Sequence, residues 1–70
     1  MWNSRRVKAL REHMGLTQAE FAEELGTFQQ VVSQWERGYH YPTGLSVRLL
    51  NLVAEKADFA YGEAGEQKGS

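Results

Sequence analysis

Between Asn3 and Met14 the apolar residues Val7, Leu10 and Met14 recur at intervals of three and four, the spacing of one face of an α-helix. Asn3 or Ser4 stands where a cap belongs, and Gly15 fits a helix stop. "TQAE" then reads as a capping box, with Thr17 as the cap and Glu20 reaching back to the free amide. The second helix buries Phe21, Ala22 and Leu25, and Gly26 ends it in the left-handed conformation. A third helix begins near Thr27 or Phe28, buries Val32 and Trp35, and stops at Gly38. "YHYP" is extended, because a residue before proline is pushed away from helical angles. Thr43 is expected to cap a fourth helix running to about Ala57. On it Leu45, Leu49, Leu52 and Val53 form the stripe expected in the core. Val47, Leu50 and Ala54 lie toward another side, and this second apolar face is expected to meet a partner.

With no strand signal, the pattern predicts an all-α, compact bundle of four to five helices, "DFAY" adding a last turn. Residues 1–61 form the expected domain and 62–70, "GEAGEQKGS", a flexible acidic tail. The short turn through Gly26 joins the second and third helices as a helix-turn-helix unit.

Composition narrows the classes. Seventy residues make one small domain. Without cysteine there is neither a disulfide framework nor a thiolate zinc site, and two histidines, His13 and His40, are too few for a metal without carboxylate help. No metal or cofactor is expected. No leader-like apolar segment is visible, and "LLNLVA" is far too short to span a bilayer, so a cytoplasmic setting without membrane contact is expected. The formal net charge of −1 gives no global argument for a polyanionic partner. Its distribution says more: the first 54 residues carry +1 and the remainder −2.

"GTFQQVVSQWERG", Gly26 to Gly38, carries three glutamines and no charge until Glu36. With Val32 and Trp35 turned inward, Gln29, Gln30, Ser33 and Gln34 cluster on the opposite side. A glutamine amide can donate to adenine N7 while accepting from its N6 amino group in the major groove. On these residues alone an ordinary polar surface is an equal alternative. Arg5, Arg6 and Lys8 open the first helix, where positive charge opposes the helix dipole. Nearby phosphates would compensate; solvation of exposed arginines is the plainer account.

"LREHMGLTQAEFAEELGTFQQVVSQWERG", Leu10 to Gly38, resembles the lambda-repressor-like (XRE-type) helix-turn-helix domain. The marks are Leu16-Thr17-Gln18, Phe21-Ala22, Leu25-Gly26, Val32 and Trp35-Glu36-Arg37-Gly38. Within that family the chain is most similar to the phage repressors and Cro proteins that read DNA with glutamines, through Gln18, Gln29, Gln30 and Gln34. The resemblance implies a sequence-specific repressor that places its third helix in the major groove of a palindromic, adenine-rich operator on double-stranded DNA, acting as a homodimer. It implies base contacts from Gln29, Gln30, Ser33 and Gln34. Phosphate contacts would come from Gln18, Arg5, Arg6, Thr27, Phe28 and Arg37. Gln18 would also brace Gln29, and Arg11 and Glu36 would form a buried ion pair.

Phe28 departs from the family's usual Ser or Thr cap, so Thr27 is expected to cap instead, leaving Phe28 as a staple or an apolar contact to DNA. The segment with Pro42, Gly44, Leu49 and Leu50 also resembles HigA-type antitoxins. That resemblance implies a second class, an antitoxin that binds a toxin protein and represses its own operon. An enzyme is not expected. Ser33 has no histidine at a defensible spacing, no phosphate-cradling glycine loop is present, and Glu20, Glu23 and Glu24 read as a solvated face.

Overall fold

The computed structural model describes residues 2–59. The expected last turn falls partly outside them, at Ala60 and Tyr61, as does the expected tail. Among the described residues the chain forms four helices and no strand: α1 (Ser4–His13), α2 (Gln18–Leu25), α3 (Gln29–Arg37) and α4 (Leu45–Lys56).

Helix starts are set by local chemistry where it exists. The Asn3 side chain accepts from the Arg6 amide at 2.9 Å and opens α1. The capping box of α2 is complete: the Glu20 amide donates to Thr17 Oγ1 at 3.1 Å and the Thr17 amide to Glu20 Oε1 at 2.9 Å. The other two starts differ from expectation. At α3 the cap position is Phe28, not Thr27, and no side chain caps it. At α4 it is Gly44, at φ 55° and ψ −126°, a conformation open to a residue without Cβ. Thr43 supplies only its carbonyl, which accepts from the Ser46 amide.

Helix ends share one device. A residue with positive φ follows each helix, and its own amide and that of the next residue fold back onto carbonyls of the last turns. Glycine fills that place at Gly15, Gly26 and Gly38, but after α4 it is Asp58, at φ 56°. The Phe59 amide then donates to the Ala54 carbonyl, which closes α4. A left-handed aspartate is strained, and its charge lies at the negative end of a helix dipole. Asp58→Gly is therefore expected to stabilise the domain by about 0.5–1 kcal/mol. Thermal melting should show a rise of a few degrees, and an unchanged or lower midpoint would deny the strain.

The apolar faces meet in one core of Trp2, Val7, Leu10, Phe21, Ala22, Leu25, Val32, Trp35, Leu50 and Ala54. Phe21, Leu10, Leu50, Val7 and Val32 are fully enclosed, each contributing roughly 1.5–3 kcal/mol of transfer energy. Within this core α2 packs on α3, α1 on α3 and α2 on α4.

The phase of α4 is the main correction. Leu50 and Ala54, expected on a partner surface, are 0% and 9% exposed and belong to the core, with Val47 packed against it. Leu45 and Leu52, expected inside, are 69% and 56% exposed. Residues 47, 50, 54 and 57 form the inward stripe, so 45 and 52 point away from it.

Trp2 ties the start of α1 to α4. It is 6% exposed, and its indole N–H donates to Asn51 Oδ1 of α4 at 2.8 Å. The Arg6 guanidinium lies over its ring at 4.8 Å. At the far end of α1, His13 Nε2 is 2.9 Å from the Ala57 carbonyl, which can only accept. The His13 ring packs against Phe59 at 5.3 Å between centroids.

Candidate nucleic-acid interface

Gly26, Thr27 and Phe28 form the turn between α2 and α3. The turn holds because Gly26 reverses the chain and the Thr27 amide donates to the Ala22 carbonyl at 2.9 Å. Val32 and Trp35 pin the inner side of α3 to the core, which fixes the helix's rotation. Gln29 and Gln30 are then exposed at its first turn, while Ser33 and Gln34 are half-buried further along. Arg37 is exposed at the last turn, its guanidinium 5.8 Å above the Tyr39 ring.

Beneath this face lies a chain of polar contacts. Arg11 on α1 holds Glu36 on α3 in a two-point pair, Nε to Oε2 at 2.7 Å and Nη2 to Oε1 at 3.0 Å. Their side chains are 15% and 6% exposed. Arg11 Nη1 also donates to the Leu16 carbonyl at 3.0 Å, so the guanidinium spans both ends of the α1–α2 connection and the end of α3. The hydrogen bond to Glu36 raises the Arg11 pKa above its ordinary value against the opposing effect of burial, with the charges of Glu36 and Glu12 adding to the rise. A guanidinium so held is a fixed positive charge.

Gln18, at the start of α2, donates from Nε2 to Glu36 Oε1 at 3.1 Å. A carboxylate only accepts, so this bond settles which way the Gln18 amide points. Its Oε1 then faces Gln29, whose Nε2 lies 3.5 Å away. That distance is long for a hydrogen bond, and it places the two amides in line rather than locking them.

The structure brings Arg11 together with Glu36, and sets Gln18 beside Gln29. The bond from Gln18 to Glu36 was missed: it follows only once Arg11 is known to bridge Glu36, since a carboxylate so bridged retains capacity to accept another donor. Trp2 was missed as well, and it changes the account of α1. Arg6, read as a charge without local benefit, stacks on Trp2 and is half-buried, while Arg5 and Lys8 are exposed. Phe28 is 77% exposed, so it is not a staple packed on the helix. It leaves α3 without the side-chain acceptor that a Ser would bring. Phe28→Ser is expected to stabilise the fold by about 1 kcal/mol, read as a shift in the urea midpoint.

Among the described residues no group of three or more His, Cys, Asp or Glu is placed to hold a metal ion. No helix among them is long and apolar enough to cross a membrane.

A helical bundle whose second and third helices meet through a three-residue turn carries the helix-turn-helix unit, the architecture of a class of DNA-binding regulators. The family model described as helix-turn-helix (HTH_3) matches residues 7–55, and the chain belongs to that XRE-type, lambda-repressor-like family. No curated protein and no solved structure matches the chain.

Proposed function

We propose that the domain is a sequence-specific repressor in which α3 enters the major groove and Gln29, Gln30, Ser33 and Gln34 meet base edges. The observation that carries this reading is the placement of Gln29. Its amide stands exposed at the first turn of α3, aligned through Gln18 with a carboxylate that Arg11 holds from inside the domain. An amide set in line in this way needs little rearrangement to offer its donor and acceptor together, as bidentate contact with adenine requires. A solvated surface glutamine has no need of such support.

Phosphate contacts belong to the groups around this face. Gln18 has a second amide hydrogen left after its bond to Glu36. Arg5, Arg6 and Arg37 supply charge. Thr27 and the backbone amide of Phe28 lie in the turn that opens α3, where the helix dipole favours an anion. Glu36 is compatible with nearby phosphate because Arg11 neutralises it. Two copies on a palindromic, adenine-rich site, about one helical turn between half-sites, complete the reading.

Selection from a random pool of duplex DNA with the purified chain tests it directly. Enrichment of a two-fold symmetric site with adenines in each half supports base readout and gives the half-site spacing. Binding that is uniform across sequences and lost steeply with salt would leave only backbone attraction, and the readout assigned to the glutamines would fall.

A further inference from the structure

The face that α4 turns away from the core has its own pattern. Leu45, Arg48, Leu52 and Glu55 follow one another at intervals of three, four and three, the spacing of a coiled-coil seam, and all four are exposed. Around Leu52 is a shallow hollow of about 230 Å³ bounded by Arg48, Asn51, Leu52 and Glu55. Asn51 is held there by the Trp2 indole, so one wall of the hollow is tied to the core.

A leucine between an arginine and a glutamate two turns apart is complementary to itself read in reverse. We propose that this seam docks a second copy of the chain, the two α4 helices lying antiparallel about a two-fold axis beside Leu52. Arg48 of each copy then faces Glu55 of the other, and symmetry makes the pair twice. Each Leu52 packs into the hollow of its counterpart, a knob entering a hole. A parallel pairing in register would set Arg48 against Arg48 and Glu55 against Glu55, so the order of charges selects the antiparallel one.

The surface is small. A helix of this length runs about 18 Å, and two exposed leucines fall well short of the roughly 1,600 Å² that a stable complex covers. The pairing is therefore weak in free solution and gains strength when one duplex holds both copies, which raises their effective concentration. It deepens the two-copy part of the reading above by naming the face, and it is tested without DNA. Failure of either idea is thus separable from failure of the other.

Sedimentation equilibrium of the full chain up to millimolar concentration is expected to show a monomer–dimer equilibrium. Arg48→Glu or Glu55→Arg alone should weaken it by about tenfold, since each breaks two pairs and creates like-charge contacts. The two together restore both pairs with signs exchanged and should return it to within about threefold. Leu52→Cys gives a chain that otherwise has no cysteine its one thiol. Under mild oxidation it should cross-link about tenfold faster than Glu23→Cys on the exposed side of α2. A chain monomeric at millimolar concentration, association indifferent to the charge reversals, or Leu52→Cys cross-linking no faster than the control would each overturn the proposal.

Discussion

Glu36→Ala is expected to destabilise the domain by about 3 kcal/mol. The substitution leaves the Arg11 guanidinium, only 15% exposed, bonded to the Leu16 carbonyl with no countercharge, and it strips the Gln18 amide of its acceptor. Arg11→Ala should cost a similar amount by stranding the carboxylate. A domain of this size has only about 3–9 kcal/mol in total, so either loss removes a third or more of it. Exchanging both residues for apolar ones of similar bulk, Arg11→Met with Glu36→Leu, should recover most of the loss, because the penalty comes from the unpaired charge. Urea unfolding with fitted midpoints and slopes measures all three. Single variants within about 0.5 kcal/mol of the parent would mean that the pair is solvated and contributes little. On the arginine side the contribution does not vary across ordinary pH. Its folded pKa is raised, so the stabilisation is fully present below the unfolded value and disappears only as pH climbs through the strongly alkaline folded one.

Gln29→Ala is expected to remove discrimination at one adenine of each half-site while leaving most nonspecific affinity in place. A bidentate contact is worth roughly 1–3 kcal/mol, so the ratio of affinities for the adenine site and its single-base variants should fall by about 5- to 150-fold. Gln18→Ala makes no base contact in this scheme, yet it should lower the same ratio at the same base pair, because Gln29 loses its alignment. Competition binding against the four base-pair variants at that position, at fixed salt, separates this from a phosphate effect. A phosphate contact weakens all four alike and shallows the salt dependence. If Gln29→Ala lowered every affinity equally, Gln29 would be holding backbone, not reading sequence.

The parts of this fold legible in the sequence are those where a few residues act locally. Thr17 and Glu20 spell out the α2 cap whatever lies around them, and Gly26 and Gly38 mark reversals that few other residues adopt. The Arg11–Glu36 pair was accessible only through family resemblance, since nothing in the spacing of residues 25 apart announces contact. The phase of α4 was not legible. Arg48, Asn51 and Glu55 mark a polar side that carries Leu52 outward with them, but leucines at 45, 49, 50 and 52 surround the helix and blur that signal, so neighbouring elements decide which of them go inside. Packing against α2 chose Leu50 and Ala54. Trp2 escaped because a single residue ahead of the first helix has no period to belong to. Phe28 was legible as an oddity, but whether its ring folded down or stood out depended on the space around the turn.

The polar chain from Arg11 to Gln29 divides the domain's surface into parts with different freedom to vary. Glu36 serves the fold and the alignment of Gln29 at once, so a change there is paid for twice. Gln30 is exposed, and Gln34 lies half-buried one turn further on. With Gln29, Gln30 and Gln34 reading bases as proposed, new operator preferences should arise in descendants of this sequence first at 30 and 34, later at 29, and hardly ever at 18 or 36. Lineages that diverged in their target sites would still share the same arginine, glutamate and supporting glutamine.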